Sequence, residues 1–146
     1  MKKVKQLLDN KGHDIWHVGP DDSVYDAIKL MEDKEIGALA VMHQHNMIGI
    51  ISERDYARKV ILKNRASKDT KVKEIMTRQV YYIYPEQDIE ECLAIMTRRR
   101  VRHLPVMQEG RIVGMISIGD VVKEIISEQR YMIEQLEHTI SWEEAY

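Results

Sequence analysis

Gly49-Ile50-Ile51-Ser52-Glu53-Arg54-Asp55 returns 65 residues later as Gly114-Met115-Ile116-Ser117-Ile118-Gly119-Asp120. Each copy closes an apolar stretch with a Ser and places an Asp three residues on. Outward from this pair, residues 20–61 lie on 85–126 without a gap, and ten of the 42 pairs are identical. Five are Pro20/Pro85, Met31/Met96, Leu39/Leu104, Val41/Val106 and Met42/Met107. The others are Gly49/Gly114, Ile51/Ile116, Ser52/Ser117, Asp55/Asp120 and Ile61/Ile126. Chance gives roughly two or three, so the chain is an internal duplication.

Both copies carry the same pattern. A short strand comes first, at 15–18 and at 80–84. Ser23 or Asp88 then stands ready to cap a helix, with Asp26 or Glu91 three residues on. Val24, Ala27, Ile28 and Met31, and likewise Ile89, Cys92, Leu93 and Met96, recur at helical spacing. The apolar runs 38–42 and 103–107 predict buried strands. Turns at His45-Asn46 and Glu109-Gly110 lead to returning strands at 47–51 and 111–116. Ser52 and Ser117 open second helices, with Val60/Ile61 and Ile125/Ile126 expected on the buried face. The unit is β-α-β-β-α. One copy alone is too small for a substantial core, so two copies are expected to share one.

The rest of the chain sets the boundaries. Residues 63–70 are polar and form the expected linker. The expected divisions are 1–66 (first repeat with an N-terminal helix), 67–128 (second repeat) and 129–146 (helical extension). Val4, Leu7 and Leu8 mark the N-terminal helix; Ile133, Leu136 and Ile140 mark an amphipathic C-terminal one. The chain has 146 residues, 44% hydrophobic and 32% charged, an ordinary globular balance. Its net charge of −2 makes no global case for nucleic acid or acidic membranes. The single cysteine, Cys92, excludes an intrachain disulfide and a cysteine zinc cage. Apolar runs are too short for a transmembrane helix, and the N-terminus does not read as a signal peptide. A cytoplasmic protein is expected.

The repeated Ser-x-x-Asp has two readings. One is a helix cap with a first-turn acid. The other is a binding site: a Ser hydroxyl and free N–H groups at a helix start suit phosphate, and an Asp can accept from a vicinal diol. Phosphate plus diol describes a ribonucleotide, and recurrence in both copies favours this reading.

The residues from about 10 to 127 resemble a tandem pair of CBS (cystathionine-β-synthase) domains, the Bateman module, and most of all its small stand-alone bacterial members. The marks are the hydrophobic-Gly-x-x-Ser-x-x-Asp element, the Ile75-Met76-Thr77 opener and the Arg102-His103-Leu104-Pro105-Val106 strand. The resemblance implies an α+β fold, with two β-α-β-β-α repeats packed sheet to sheet about a pseudo-twofold axis and helices at both ends. It implies that the Asp binds ribose, the Ser lies near phosphate, and Ile50 and Met115 lie on adenine. One implied site joins Ile50, Ser52 and Asp55 with Thr77, Tyr82, Arg102 and His103, and Arg54 lies in its helix turn. The other joins Met115, Ser117 and Asp120 with Gly12, His17, Gly37 and Ala38. The implied ligand is an adenosine nucleotide: AMP, ADP, ATP or NAD(H). The implied partner is a second copy, making a four-repeat disc.

The sites are unequal. Arg102 and His103 in the first stand where the second has Gly37 and Ala38, and Arg54 stands where the second has Gly119. Less phosphate binding is expected in the second. Arg98 and Arg99 suit a solvated helix end. His43-Gln44-His45 reads as a surface turn and Glu134/His138 as a polar face. The methionines read as adaptable packing and Cys92 as inert core. Two of Tyr81, Tyr82 and Tyr84 are expected to cover the sheet. No nucleophile with a neighbouring base, P-loop or metal cluster is evident, so an enzyme is not expected. The leading expectation is a nucleotide-sensing regulatory module with an unidentified client protein. The alternative is a ligand-free oligomerisation scaffold.

Overall fold

In the computed structural model, the backbone is described for residues 2–144 and the side chains for 2–136. The first half contains α1 (Val4–Lys11), β1 (His17–Val18), α2 (Val24–Lys34), β2 (Ala38–His43), β3 (Asn46–Ser52) and α3 (Glu53–Tyr56). A π-helical turn (Ala57–Ile61) ends it. The second half contains α4 (Val72–Ile75), α5 (Ile89–Arg99), β4 (His103–Gln108), β5 (Arg111–Ser117) and α6 (Ile118–Glu144). Helix and strand thus mix in both halves as the duplication predicts.

Local chemistry sets most boundaries. The Ser23 hydroxyl accepts from the Asp26 N–H at 3.0 Å and starts α2. Asp88 occupies the same position before α5, but its carboxylate does not cap that helix. It pairs instead with Lys3 Nζ at 2.8 Å, because the chain entering α1 runs beside it. Both α2 and α5 end on a left-handed residue, Glu35 (φ 53°) and Arg100 (φ 55°).

Strands β2 and β3 pair antiparallel, as do β4 and β5, with a register shift at Val41/Met42 and again at Val106/Met107. Strand β1 joins β2 in parallel. Its expected counterpart at 80–84 shrinks to one bridge, Ile83 to Val106. The cause is Pro105. In the first repeat the Ala40 N–H donates to the Trp16 carbonyl at 3.3 Å; Pro105 stands where Ala40 does and has no N–H. The hairpin turns are Gln44-His45 and Glu109-Gly110, so the first lies one residue earlier than the sequence predicts. Both turns need positive φ at two central residues: 50° and 70°, then 51° and 76°. Glycine fills the last position only in the second copy. His45→Gly is therefore expected to raise stability by about 0.5–1 kcal/mol, read as a higher urea midpoint at unchanged slope.

The hydrophobic residues form two cores, and the opening helices are exchanged between them. Val4, Leu7 and Leu8 of α1 pack with Ile83, Leu104 and Ile116 of the second repeat. Val72, Ile75 and Met76, in and just after α4, pack with Leu39, Val41 and Ile51 of the first. The N-terminal helix, an appendage by sequence, is thus a core element of the far repeat. Matching backbone bonds pin both helices. Val4 N–H donates to Gln87 O and Lys5 N–H to Pro85 O; Val72 N–H donates to Asp22 O and Lys73 N–H to Pro20 O. Strands β3 and β5 contact each other where the halves meet.

The second helices of the repeats diverge. Val60 is buried, but Ile61, expected inside, is 60% exposed. The π turn causes this, because its wider spacing (Leu62 N–H to Ala57 O, Arg65 N–H to Val60 O) buries Asp55 and Val60, five apart. Helix α6 keeps α spacing and buries Val121, with Ile125 half-buried and Ile126 exposed. Beyond that point Ile133 and Leu136 are exposed, and the side chains of His138 and Ile140 lie outside the described residues.

Candidate functional site

Two clefts open where the repeats meet. The first has a volume of about 740 Å³. It is lined by Ile50, Ser52, Arg54 and Asp55 from the first repeat, Thr77 after α4, and Arg102 and His103 from the second repeat. Arg58, Lys59 and Arg100 add three cations that the sequence reading did not include. Tyr82 is not among the lining residues. Its ring is 48% exposed and meets Tyr84 edge-on, with centroids 5.5 Å apart.

Asp55 is the hub of this cleft. Its Oδ2 accepts from the Ser52 N–H at 3.0 Å and the Ser52 hydroxyl at 3.1 Å. Its Oδ1 accepts from the Thr77 hydroxyl at 3.1 Å and pairs with Lys59 Nζ at 3.0 Å. Lys59 Nζ also donates to the Ile75 carbonyl at 2.8 Å. The cap reading and the site reading therefore coexist. Ser52 and Asp55 cap α3 reciprocally, and the same carboxylate faces the cleft. The backbone of Thr77 bridges Ile50 in both directions, at 2.8 and 3.0 Å, which ties the opener of one repeat to the strand of the other.

The second cleft has about 370 Å³ and is lined by Met115, Ser117 and Asp120 together with Gly12, Gly37 and Ala38. His17 is not among its lining residues; its ring lies on the exposed side of β1, near the Ile15 carbonyl. Lys11, absent from the sequence reading, is the decisive addition. Its ammonium donates to Asp120 Oδ2 at 2.5 Å and to the Met115 carbonyl at 2.7 Å. Thr77 holds the corresponding acceptors of the first cleft, Asp55 and the Ile50 carbonyl. The chain leaves Met76 extended and delivers Thr77 directly, whereas α1 stays helical to Lys11 and reaches back with a long side chain. No 65-residue register could reveal that exchange of a hydroxyl for an ammonium. Burial pushes the Asp120 carboxyl up, but Lys11 and the Ser117 donors outweigh it and leave the pKa below the ordinary value. Trp16, with Lys34 Nζ 4.2 Å over its ring, forms an aromatic part of this wall that the sequence reading also missed.

The clefts share Gly37, His103 and Ser117. A Cβ on Gly37 would lie 3.2 Å from His103 Cε1 and Nε2, so glycine there leaves room for the imidazole between the clefts. Burial, reinforced by Lys11 and Arg102 and opposed by Asp120, lowers the His103 pKa to about 4. The imidazole is neutral at pH 7. An unfolded histidine titrates near the ordinary 6.5, so between there and about 4 the unfolded chain binds a proton that the folded chain refuses. This stability is present above pH 6.5 and lost as pH falls through 4, by about 3 kcal/mol in all. His103→Gln is expected to flatten that part of the stability–pH curve, measured by denaturant midpoints from pH 7.5 to 4; an unchanged slope would refute it.

The remaining candidates are accounted for locally. Cys92 is fully buried, with its thiol pushed up to about 12, chiefly by burial, which suits inert packing. Arg99 lies 4.9 Å over the Tyr81 ring at the exposed end of α5. Met31, Met76 and Met96 are core, whereas Met132 is exposed. Among the described residues no cluster of three or more His, Cys, Asp or Glu is arranged to hold a metal. Among them, too, no helix is long and apolar enough to cross a membrane.

The strand glycines of the repeated motif have a packing role. A Cβ on Gly49 would stand 2.9 Å from Met76 Sδ and the Thr77 carbonyl; one on Gly114 would stand 2.6 Å from a Leu8 methyl. Each glycine admits the exchanged opener that delivers Thr77 or Lys11 to its cleft.

Comparison with known proteins agrees with this arrangement. The CBS domain model matches residues 4–62 and again 72–127, so each match begins at the exchanged helix. The mitochondrial CBS domain-containing protein CBSX3 of Arabidopsis thaliana is 43% identical over 80% of this chain, which spans 59% of that protein's length. A signal-transduction protein with CBS domains from Burkholderia ambifaria MC40-6, described as putative in that role, is 51% identical. The match covers 88% of this chain and 96% of that one, with a TM-score of 0.85. The CBS domain pair of MJ0100, solved with 5′-methylthioadenosine and S-adenosyl-L-methionine, shares the fold at 22% identity. It covers 88% of this chain and 98% of its own, with a TM-score of 0.78. With two matches to the family model spanning most of its length, the chain belongs to the CBS domain family as a tandem pair.

Proposed function

We propose that the pair is a regulatory module that binds an adenosine nucleotide, AMP, ADP, ATP or NAD(H), in the clefts between its repeats. The observation that carries this reading is the convergence at Asp55. A carboxylate able to accept from a ribose diol lines a cleft of nucleotide size. Basic side chains from both repeats surround it. A ligand there touches elements of both repeats and shifts their relative arrangement to the extent that it prefers one arrangement. The Ser52 and Thr77 hydroxyls are tied to Asp55 within the cap of α3 and the link between the repeats, and the role we read here is sensing rather than turnover. Gly12 and Ala38 shape the second cleft, and Met115, like Ile50 in the first, would lie on the base.

The assembly proposed is a homodimer, a disc of four repeats acting on a client protein in the cytoplasm. Exposed Ile61 and Leu62 in the first repeat, and exposed Ile126, Met132, Ile133 and Leu136 along α6, favour a protein partner over a bare solvent surface.

A thermal-shift series with AMP, ADP, ATP, NAD, NADH, GMP, GTP and S-adenosylmethionine tests the reading. Ligands that bind only the folded chain raise its melting temperature by mass action. A rise confined to adenosine compounds is expected. No rise with any of them would discard the sensor and leave the ligand-free scaffold.

A further inference from the structure

The duplication has diverged most in the charge of its clefts. Arg54, Arg100 and Arg102 line the first cleft, and their counterparts 65 residues away are Gly119, Glu35 and Gly37. A cation has become neutral twice and an acid once. Glu35 itself lines the second cleft, held there by the same left-handed backbone that presents Arg100 to the first. With Arg58 and Lys59, the first cleft holds five cations against Glu53 and Asp55. The second holds one cation, Lys11, and three acids: Asp14, Glu35 and Asp120. Lys11 is engaged by Asp120 and the Met115 carbonyl, which leaves Asp14 and Glu35 uncompensated by any other lining side chain. The neutral His103 ring stands between the clefts and adds charge to neither.

Phosphate groups respond strongly to such a difference. Guanidinium groups hold them by paired, charge-assisted hydrogen bonds, whereas uncompensated carboxylates repel them at short range. We propose, resting on the adenosine-binding reading above, that the clefts take unlike ligands at once. The first takes a nucleoside polyphosphate. The second takes an adenosine compound without a polyphosphate tail and rejects the polyphosphate. Lys11 is then an internal competitor in the second cleft, because its ammonium holds Asp120 Oδ2, one of the two oxygens a ribose diol would use. The pair thus reads the level of one metabolite against another through a shared wall.

Calorimetry on the full chain with ATP and with adenosine tests this. The expected result is one ATP per chain, followed by one adenosine per chain on the ATP-saturated protein. The Arg54→Ala/Arg102→Ala variant alters two exposed side chains and should fold normally. It is expected to weaken ATP by about tenfold or more and leave adenosine within about twofold. Raising the salt on the parent protein should likewise weaken ATP alone. Two ATP per chain with closely similar affinities, or equal weakening of ATP and adenosine by the variant, would overturn the division while leaving the adenosine reading standing. Binding of neither compound would overturn both.

Discussion

Asp55→Ala is expected to weaken adenosine-nucleotide binding in the first cleft by about 10- to 100-fold and to lower stability as well. The first effect follows from losing an ionised acceptor for two ribose hydroxyls. A hydrogen bond to a charged group is worth about 1.5–3 kcal/mol and 1.4 kcal/mol is tenfold, so this range corresponds to one bond net, the carboxylate being shared already with Thr77 and Lys59. The second follows from the contacts at this carboxylate. It accepts from the Ser52 N–H and hydroxyl and from the Thr77 hydroxyl, and it pairs with Lys59. Alanine removes the reciprocal cap of α3 and the link to the opener of the second repeat. Losing a cap of this kind costs about 1 kcal/mol, and stranding the partly buried donors adds a similar amount. A melting temperature lower by roughly 4–8 °C is expected. Calorimetry and a melting curve on one preparation separate the effects. Parent-like affinity would remove Asp55 from the site, and a parent-like melting temperature would remove it from the packing.

Gly114→Val is expected to cost about 3 kcal/mol, more than any surface substitution in the chain. The first carbon of the new side chain would already stand 2.6 Å and 2.9 Å from the Leu8 methyls, and valine adds two more carbons. Leu8 is 1% exposed, inside the core that α1 shares with the second repeat, so it has no free space to enter. Relief requires α1 to lift from the second repeat, which also withdraws Lys11 from Asp120. Denaturant unfolding of Gly114→Val, Leu8→Ala and the double variant checks this. The double variant should lose clearly less than the sum of the single losses, because the smaller Leu8 side chain vacates the space that valine needs. Strict additivity would show that the glycine is required for something other than the approach of α1.

Between them these substitutions locate the boundary of what a linear reading reaches. The duplication, the β-α-β-β-α order, the Ser/Asp pairs and the greater basicity of the first site are all legible. They depend on residue type at fixed spacing, and helix caps, hairpins and alternating apolar runs are local events. The missing strand at 80–84 was also within reach, since Pro105 withholds the N–H that Ala40 supplies, but only once the two positions are known to face the same neighbour. Tyr82 and His17 show the limit more sharply. Both hold the expected register, yet neither lines a cleft, because a short or interrupted strand does not fix where its side chains point.

The sequence by itself determined that two like units exist, what each is built from, and that one site carries more positive charge than the other. Only the tertiary structure decided which helix serves which core. It also decided that Lys11 occupies Asp120 and that His103 stands between the clefts with its imidazole held neutral. The physical reason is range. Spacing along the chain encodes contacts within a turn or a hairpin, whereas Lys11 meets Asp120, and Leu8 meets Gly114, across more than a hundred residues. Such pairs arise only when the exchanged helices bury their apolar faces on the opposite repeat, and that burial is a property of the whole molecule rather than of any local pattern.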